Sequence, residues 1–127
     1  MLGLRLWVGL NLALVHGLTK LRDPDSFIAG ELVAKFPAPE FSGWFAILAE
    51  FAGGILLTLG LLTRTAAGVL LATMLGAAVV ALQGAPWTQR ELALTYAVCL
   101  LVLLVHGPGA LSVDEVIQKQ RRRRSPW

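Results

Sequence analysis

Trp44-Phe45-Ala46-Ile47-Leu48-Ala49-Glu50-Phe51-Ala52-Gly53-Gly54-Ile55-Leu56-Leu57-Thr58-Leu59-Gly60-Leu61-Leu62 contains a single charge in nineteen residues. A helix rises 1.5 Å per residue, so about 20 apolar residues cross the ~30 Å hydrocarbon layer of a bilayer. The stretch therefore predicts a transmembrane helix, and three more follow on either side of it. They cover residues 4–21, 65–82 and 89–106, beside 44–62 itself. Gly107-Pro108-Gly109 stops the last of them. The fold class expected is all-α, a bundle of four transmembrane helices.

Composition agrees with this reading. Of 127 residues, 56% are apolar and only 15% charged, too much hydrocarbon for an ordinary soluble domain of this size. One membrane domain over residues 1–127 accounts for the whole chain. The first apolar stretch ends in His16-Gly17-Leu18-Thr19-Lys20, without the small-residue cleavage pattern of a signal peptide, and is kept as a span. The lone Cys99 lies inside an apolar run, so no intrachain disulfide and no multi-cysteine metal site is expected.

The formal charge of +3 depends on the tail, where Lys119 and Arg121, Arg122, Arg123 and Arg124 supply five of the eleven cationic side chains. Beside a membrane helix such a run predicts attraction to anionic lipid head groups, and no nucleic-acid partner is expected. Grouping the N-terminus, Thr63-Arg64 and the C-terminus on one face collects Arg5, Arg64, Lys119 and the arginines there. The opposite face offsets Lys20, Arg22, Lys35 and Arg90 with Asp23, Asp25, Glu31, Glu40 and Glu91. The excess of cations predicts that both termini are cytoplasmic, in a cell inner (plasma) membrane.

Two shorter helices are expected outside the spans. Asp23 followed by Pro24 is a helix start, and Ile28, Ala29, Leu32, Val33 and Phe36 fall at helical spacing, so residues 24–36 predict an interfacial helix on the outer surface. Ser112-Val113-Asp114-Glu115 is a capping box that opens a basic cytoplasmic helix over 113–124.

Small residues replace hydrophobic burial as the driving device for helix association in lipid. Gly9, Ala13 and Gly17 form one stripe. Gly68, Ala72 and Gly76 form another, while Gly53 and Gly60 lie close to one face of the second span with Ala46 and Ala49. Each stripe predicts a close helix contact.

Charges at membrane depth are costly, which makes them the candidate site. Glu50 lies six residues inward from Trp44, about 9 Å along the helix. Its expected partners are His16 and Lys20, one turn apart on the first span. This outer cluster reads either as a clasp fixing the register of the first two helices or as a site that exchanges protons or contacts quinone. A second, cytoplasmic layer groups Arg5, Arg64, His106 and Asp114. Thr95 and Tyr96 put hydroxyls into the fourth span, positioned to hydrogen-bond across helices. No metal-ligand spacing, no phosphate-binding glycine loop and no nucleophile with a base appear, so an autonomous enzyme is not expected.

The motifs carry a family resemblance. His16-Gly17 with Lys20, then Pro39, then Glu50-Phe51-Ala52-Gly53-Gly54, then Leu59-Gly60-Leu61-Leu62-Thr63-Arg64, and finally His106-Gly107-Pro108-Gly109-Ala110-Leu111-Ser112-Val113-Asp114, resemble the DoxX family. The resemblance spans about Gly3 to Asp114. It implies a four-helix membrane fold and an association with redox systems, through relatives such as the membrane subunit of thiosulfate:quinone oxidoreductase. The function expected is an accessory subunit of a membrane redox complex in a bacterial inner membrane, with other redox subunits as partners and quinone as the cofactor contacted. A small proton-coupled transporter and a purely structural scaffold are the alternatives.

Overall fold

The computed structural model describes residues 1–125; the final two positions of the domain expected over 1–127 lie outside the described residues. Four helices are long and apolar enough to cross a membrane: α1 (Leu2–Arg22), α4 (Pro39–Leu59), α5 (Thr63–Ala81) and α6 (Trp87–His106). Between α1 and α4 lie the short α2 (Pro24–Ile28) and α3 (Glu31–Ala34), and α7 (Val113–Arg124) follows α6. No strand occurs among the described residues. The chain is an all-α, multi-pass membrane protein.

Its spans run alternately up and down, with α1 packed along α4, α4 along α5, and α5 along α6. Fully buried Val8, Leu12, Leu57, Ala67, Leu70, Leu100 and Leu103 tie the four together. Close approach of α1 to α4 explains the glycines on both. A Cβ on Gly17 would come within 2.6 Å of the Phe51 backbone nitrogen, and one on Gly54 within 2.6 Å of the Ala13 nitrogen. Any side chain larger than hydrogen would push the two backbones apart.

The stripe on the third span behaves differently from expectation. A Cβ at Gly68 would meet its nearest neighbour, Leu104, at 3.8 Å, and one at Gly76 would meet Phe36 at 3.6 Å, ordinary contact distances. Ala72 is exposed. No helix backbone is seated on this stripe; α5 instead turns its buried face, with Ala66, Ala67, Leu70 and Met74, toward the core. Helical spacing identifies a face, but not what covers it.

Helix ends moved for local reasons. The second span begins at Pro39, not Trp44, because proline at the first helical position has its φ preset and lacks a hydrogen that would go unpaired. It ends at Leu59 because Gly60 takes the left-handed conformation, φ +72°, that closes a helix. Thr63 and Arg64, just before the span expected from residue 65, are already in the first turn of α5, and the fourth span starts at Trp87 directly after Pro86. The helix expected over 24–36 is broken: Gly30 is extended, φ −68° and ψ 152°, so the segment folds as two short helices at an angle. Ile28, Val33 and Phe36 point inward, with Ile28 against Gly43 and Phe36 against Gly76, while Ala29 and Leu32 stay exposed. The segment is thus a flap folded over the end of the bundle away from both termini.

Two spans widen into π-helical turns, at Asn11–Gly17 in α1 and at Ala77–Ala81 in α5. Such turns put backbone carbonyls out of the regular hydrogen-bond ladder. At the end of α5, cations meet exposed carbonyls: Arg90 Nε donates to that of Ala78 at 3.2 Å, and Lys35 Nζ to those of Ala81 at 3.0 Å and of Gln83, just beyond the helix, at 3.2 Å. Lys35 thereby fastens the flap to the end of the third span.

Candidate functional site

Of the outer cluster, the structure brings Lys20 and Glu50 into direct contact. Lys20 Nζ lies 2.8 Å from Oε1 and 2.7 Å from Oε2 of Glu50. Glu50 is only 3% exposed, while the Lys20 side chain keeps 24% of its surface. The positions follow from the seam. Gly17 lets the end of α1 lie against α4 at Phe51, so the side chains at positions 20 and 50 meet across one interface. Lys20 Nζ also sits 4.7 Å above the centre of the Phe27 ring, supplied by α2, a cation–π contact.

His16 does not join the pair by a hydrogen bond. Its ring meets Tyr96 of α6 edge to face, centroids 5.5 Å apart at 84°. The quadrupole of the aromatic ring favours this geometry. Thr95, expected to reach across helices, donates instead to Glu91 in its own helix at 2.8 Å.

Lys20 and Glu50 lie on the wall of a cavity of about 350 Å³ between the flap, α4 and α5. The rest of the lining is nearly all apolar, led by Phe27, Phe36, Phe41 and Phe45, with Ala72 and Gly76 forming a smooth floor. The unseated small-residue stripe of α5 thus becomes a cavity wall. Phe27, Phe36 and the third span's contribution were not read from sequence as site residues. Their only signal is a pair of aromatics on the segment that follows Lys20.

A cavity of this size is at the low end for ligand pockets, and those are typically apolar with a few placed polar groups. What the pair offers is one ammonium with three hydrogens. Both carboxylate oxygens take up part of that capacity, and the exposed part of Lys20 faces the cavity. Because the pair is internally neutral, a charged ligand would bring an uncompensated charge into an apolar space. The geometry suits an uncharged, lipid-soluble molecule with a hydrogen-bond acceptor.

The layer expected at the cytoplasmic face, beside the termini, is organised otherwise. Arg5 is 2% exposed, and its two terminal nitrogens donate to the carbonyls of Pro108 and Leu111. Asp114 accepts from the backbone N–H groups of Leu62 at 2.8 Å and Thr63 at 2.9 Å, and its own N–H donates to the Gly60 carbonyl at 2.9 Å. These are the orphan amides of the start of α5, so Asp114 caps that helix from fifty residues away. Partial burial alone would raise the Asp114 carboxyl, but the hydrogen bonds from Thr63 and Leu62 and the charge of Arg5 outweigh it and hold the group below the usual carboxylate range. Among the described residues Arg64 hydrogen-bonds the Val105 carbonyl, at 3.5 Å, and His106 Nδ1 contacts the Val102 carbonyl of its own helix at 3.0 Å. Arg5 and Asp114 lie close enough for one charge to act on the other, and Arg64, His106 and Asp114 border one groove, but among the described residues no ion pair joins the four.

No group of three or more histidine, cysteine, aspartate or glutamate side chains is placed to hold a metal ion among the described residues. A family model described as DoxX matches residues 1–83, which include α1 to α5 and both partners of the ion pair. No curated protein and no solved structure matches the chain.

Proposed function

The chain belongs to the DoxX family, and from that premise we propose that it is an accessory subunit of a membrane redox complex whose outer cavity receives a quinone beside Lys20 and Glu50. The observation that carries this reading is a buried ion pair on the wall of an apolar cavity large enough for a ring. A quinone head is flat, uncharged and bears carbonyl acceptors, which is the chemistry the cavity suits. Lys20 binds and orients such a carbonyl, Glu50 holds the ammonium in place, and the phenylalanines exclude water. When bound, the quinone supplies the electron-accepting chemistry; this chain contributes its seat.

The same reading places the protein in a bacterial inner membrane with both termini cytoplasmic, as the distribution of cations favours. The flap and cavity then face outward, where a peripheral redox partner docks. Proton-coupled transport is the less favoured reading because the charge of Glu50 is already answered by Lys20 at 2.7 Å.

Purification in mild detergent followed by solvent extraction tests the proposal. Quinone is expected in near-stoichiometric amount with a co-purifying redox protein, and the Lys20→Met chain is expected to retain at least tenfold less. A preparation with neither quinone nor redox partner sinks it.

A further inference from the structure

The C-terminal helix lies beyond the 1–83 match and beyond the outer site. It is not a free tail. Asp114 bonds Gly60, Leu62 and Thr63, Arg5 holds the carbonyls just before it, and Ser112 caps it by accepting from the Glu115 N–H at 3.2 Å. Its first turn is therefore fixed at the level of the turn that joins two membrane spans.

From that anchor the helix presents two different faces. Asp114, Glu115 and Gln118 border a groove against the bundle, with Arg64 and His106 opposite. Val113, Val116 and Ile117 are 39%, 54% and 37% exposed. With Gln120 and Arg124 they fall within an arc of roughly 100° at 3.6 residues per turn. The bundle surface next to the anchor is apolar and exposed as well, at Leu62, Val105 and Leu111. Charge is divided along the helix, with acids in its first turn and arginines in its last. Lys119 lies 3.7 Å from Glu115, whereas Arg121, Arg122, Arg123 and Arg124 form no ion pair among the described residues.

An apolar arc continuous with a lipid-facing belt, followed by four uncompensated arginines, fits the boundary between acyl chains and anionic head groups. We propose that α7 lies in the interface of the leaflet that both termini reach, and that Arg121 to Arg124 bind anionic phospholipid head groups. The anchoring by Arg5 and Asp114 sets its direction along that surface. This rests on neither the redox reading nor the orientation, because a nanodisc offers the same lipid on both faces.

The test uses the full chain with Cys99→Ser and a spin label at Gln120→Cys, in nanodiscs of phosphatidylcholine alone or mixed with phosphatidylglycerol. In the anionic discs the label is expected to be reached by oxygen and shielded from a water-soluble nickel chelate, and replacing Arg121 to Arg124 by glutamine is expected to reverse that preference. Native mass spectrometry of the unaltered chain supplies a second reading: phosphatidylglycerol retained several-fold over phosphatidylcholine, with the excess lost at high salt. A label in water in both discs, equal depth with and without the arginines, or equal retention of the two lipids overturns the proposal. So does a label that leaves water only when an acidic protein is added.

Discussion

The two polar layers of this bundle use charge in opposite ways. At the end beneath the flap Lys20 and Glu50 answer each other, side chain to side chain, on the wall of a cavity. At the end that carries both termini Arg5 and Asp114 answer the backbone: carbonyls of the segment after α6 and amides at the start of α5. Backbone polar groups in or near lipid must find partners, and turns between spans have the most to satisfy. The inner charges complete the fold. The outer pair completes nothing that two apolar side chains would not, and this makes it the place to look for a ligand.

Breaking one partner of the outer pair is expected to have the largest effect on stability. Removing one member of a buried ion pair typically costs about 3–5 kcal/mol. Lys20→Met should fall near the lower end because Lys20 is partly exposed, and thermal unfolding in detergent reads the loss. The comparison sharpens with Lys20→Met combined with Glu50→Gln, which should recover most of it because no lone charge is left.

Arg5→Met should cost about 3 kcal/mol, since two carbonyls lose charged donors at roughly 1.5–3 kcal/mol each, partly regained from water. No second substitution on a side chain can restore this, because the partners are backbone. An Arg5→Met chain as stable as the parent would erase the distinction between the layers. Between the layers, Gly54→Leu should separate α1 from α4 and cost about 1–3 kcal/mol or more by overpacking, whereas Gly76→Ala should change stability little.

The smallest effect expected is on acid stability. The Asp114 carboxyl is held below its unfolded value of about 3.9. The unfolded chain therefore binds the proton first as pH falls. The contribution of Asp114 is complete above that value and is lost as pH drops toward the depressed folded one. Asp114→Asn should flatten this decline below about pH 4, as followed by circular dichroism.

Apolar run length made the four spans legible, since little else produces about 20 predominantly apolar residues in a row. Lys20 and Glu50 were legible because a membrane-depth charge needs a partner and few are within reach. The partner of His16 was not, because Tyr96 is eighty residues away in sequence and its ring carries no charge to announce the contact. Nor was the cap supplied by Asp114: a capping box explains its position in α7 but not that its carboxylate serves a different helix. The break at Gly30 was hidden by an apolar pattern that runs unbroken across it. The stripe on α5 shows the same limit, as small residues permit a helix contact and here line a cavity instead.

The most direct test of the account is quinone content and thermal stability measured together on the chain carrying both Lys20→Met and Glu50→Gln. The account predicts a bundle nearly as stable as the parent that retains at least tenfold less quinone. A stable double variant that retains quinone at the parent's level would contradict it.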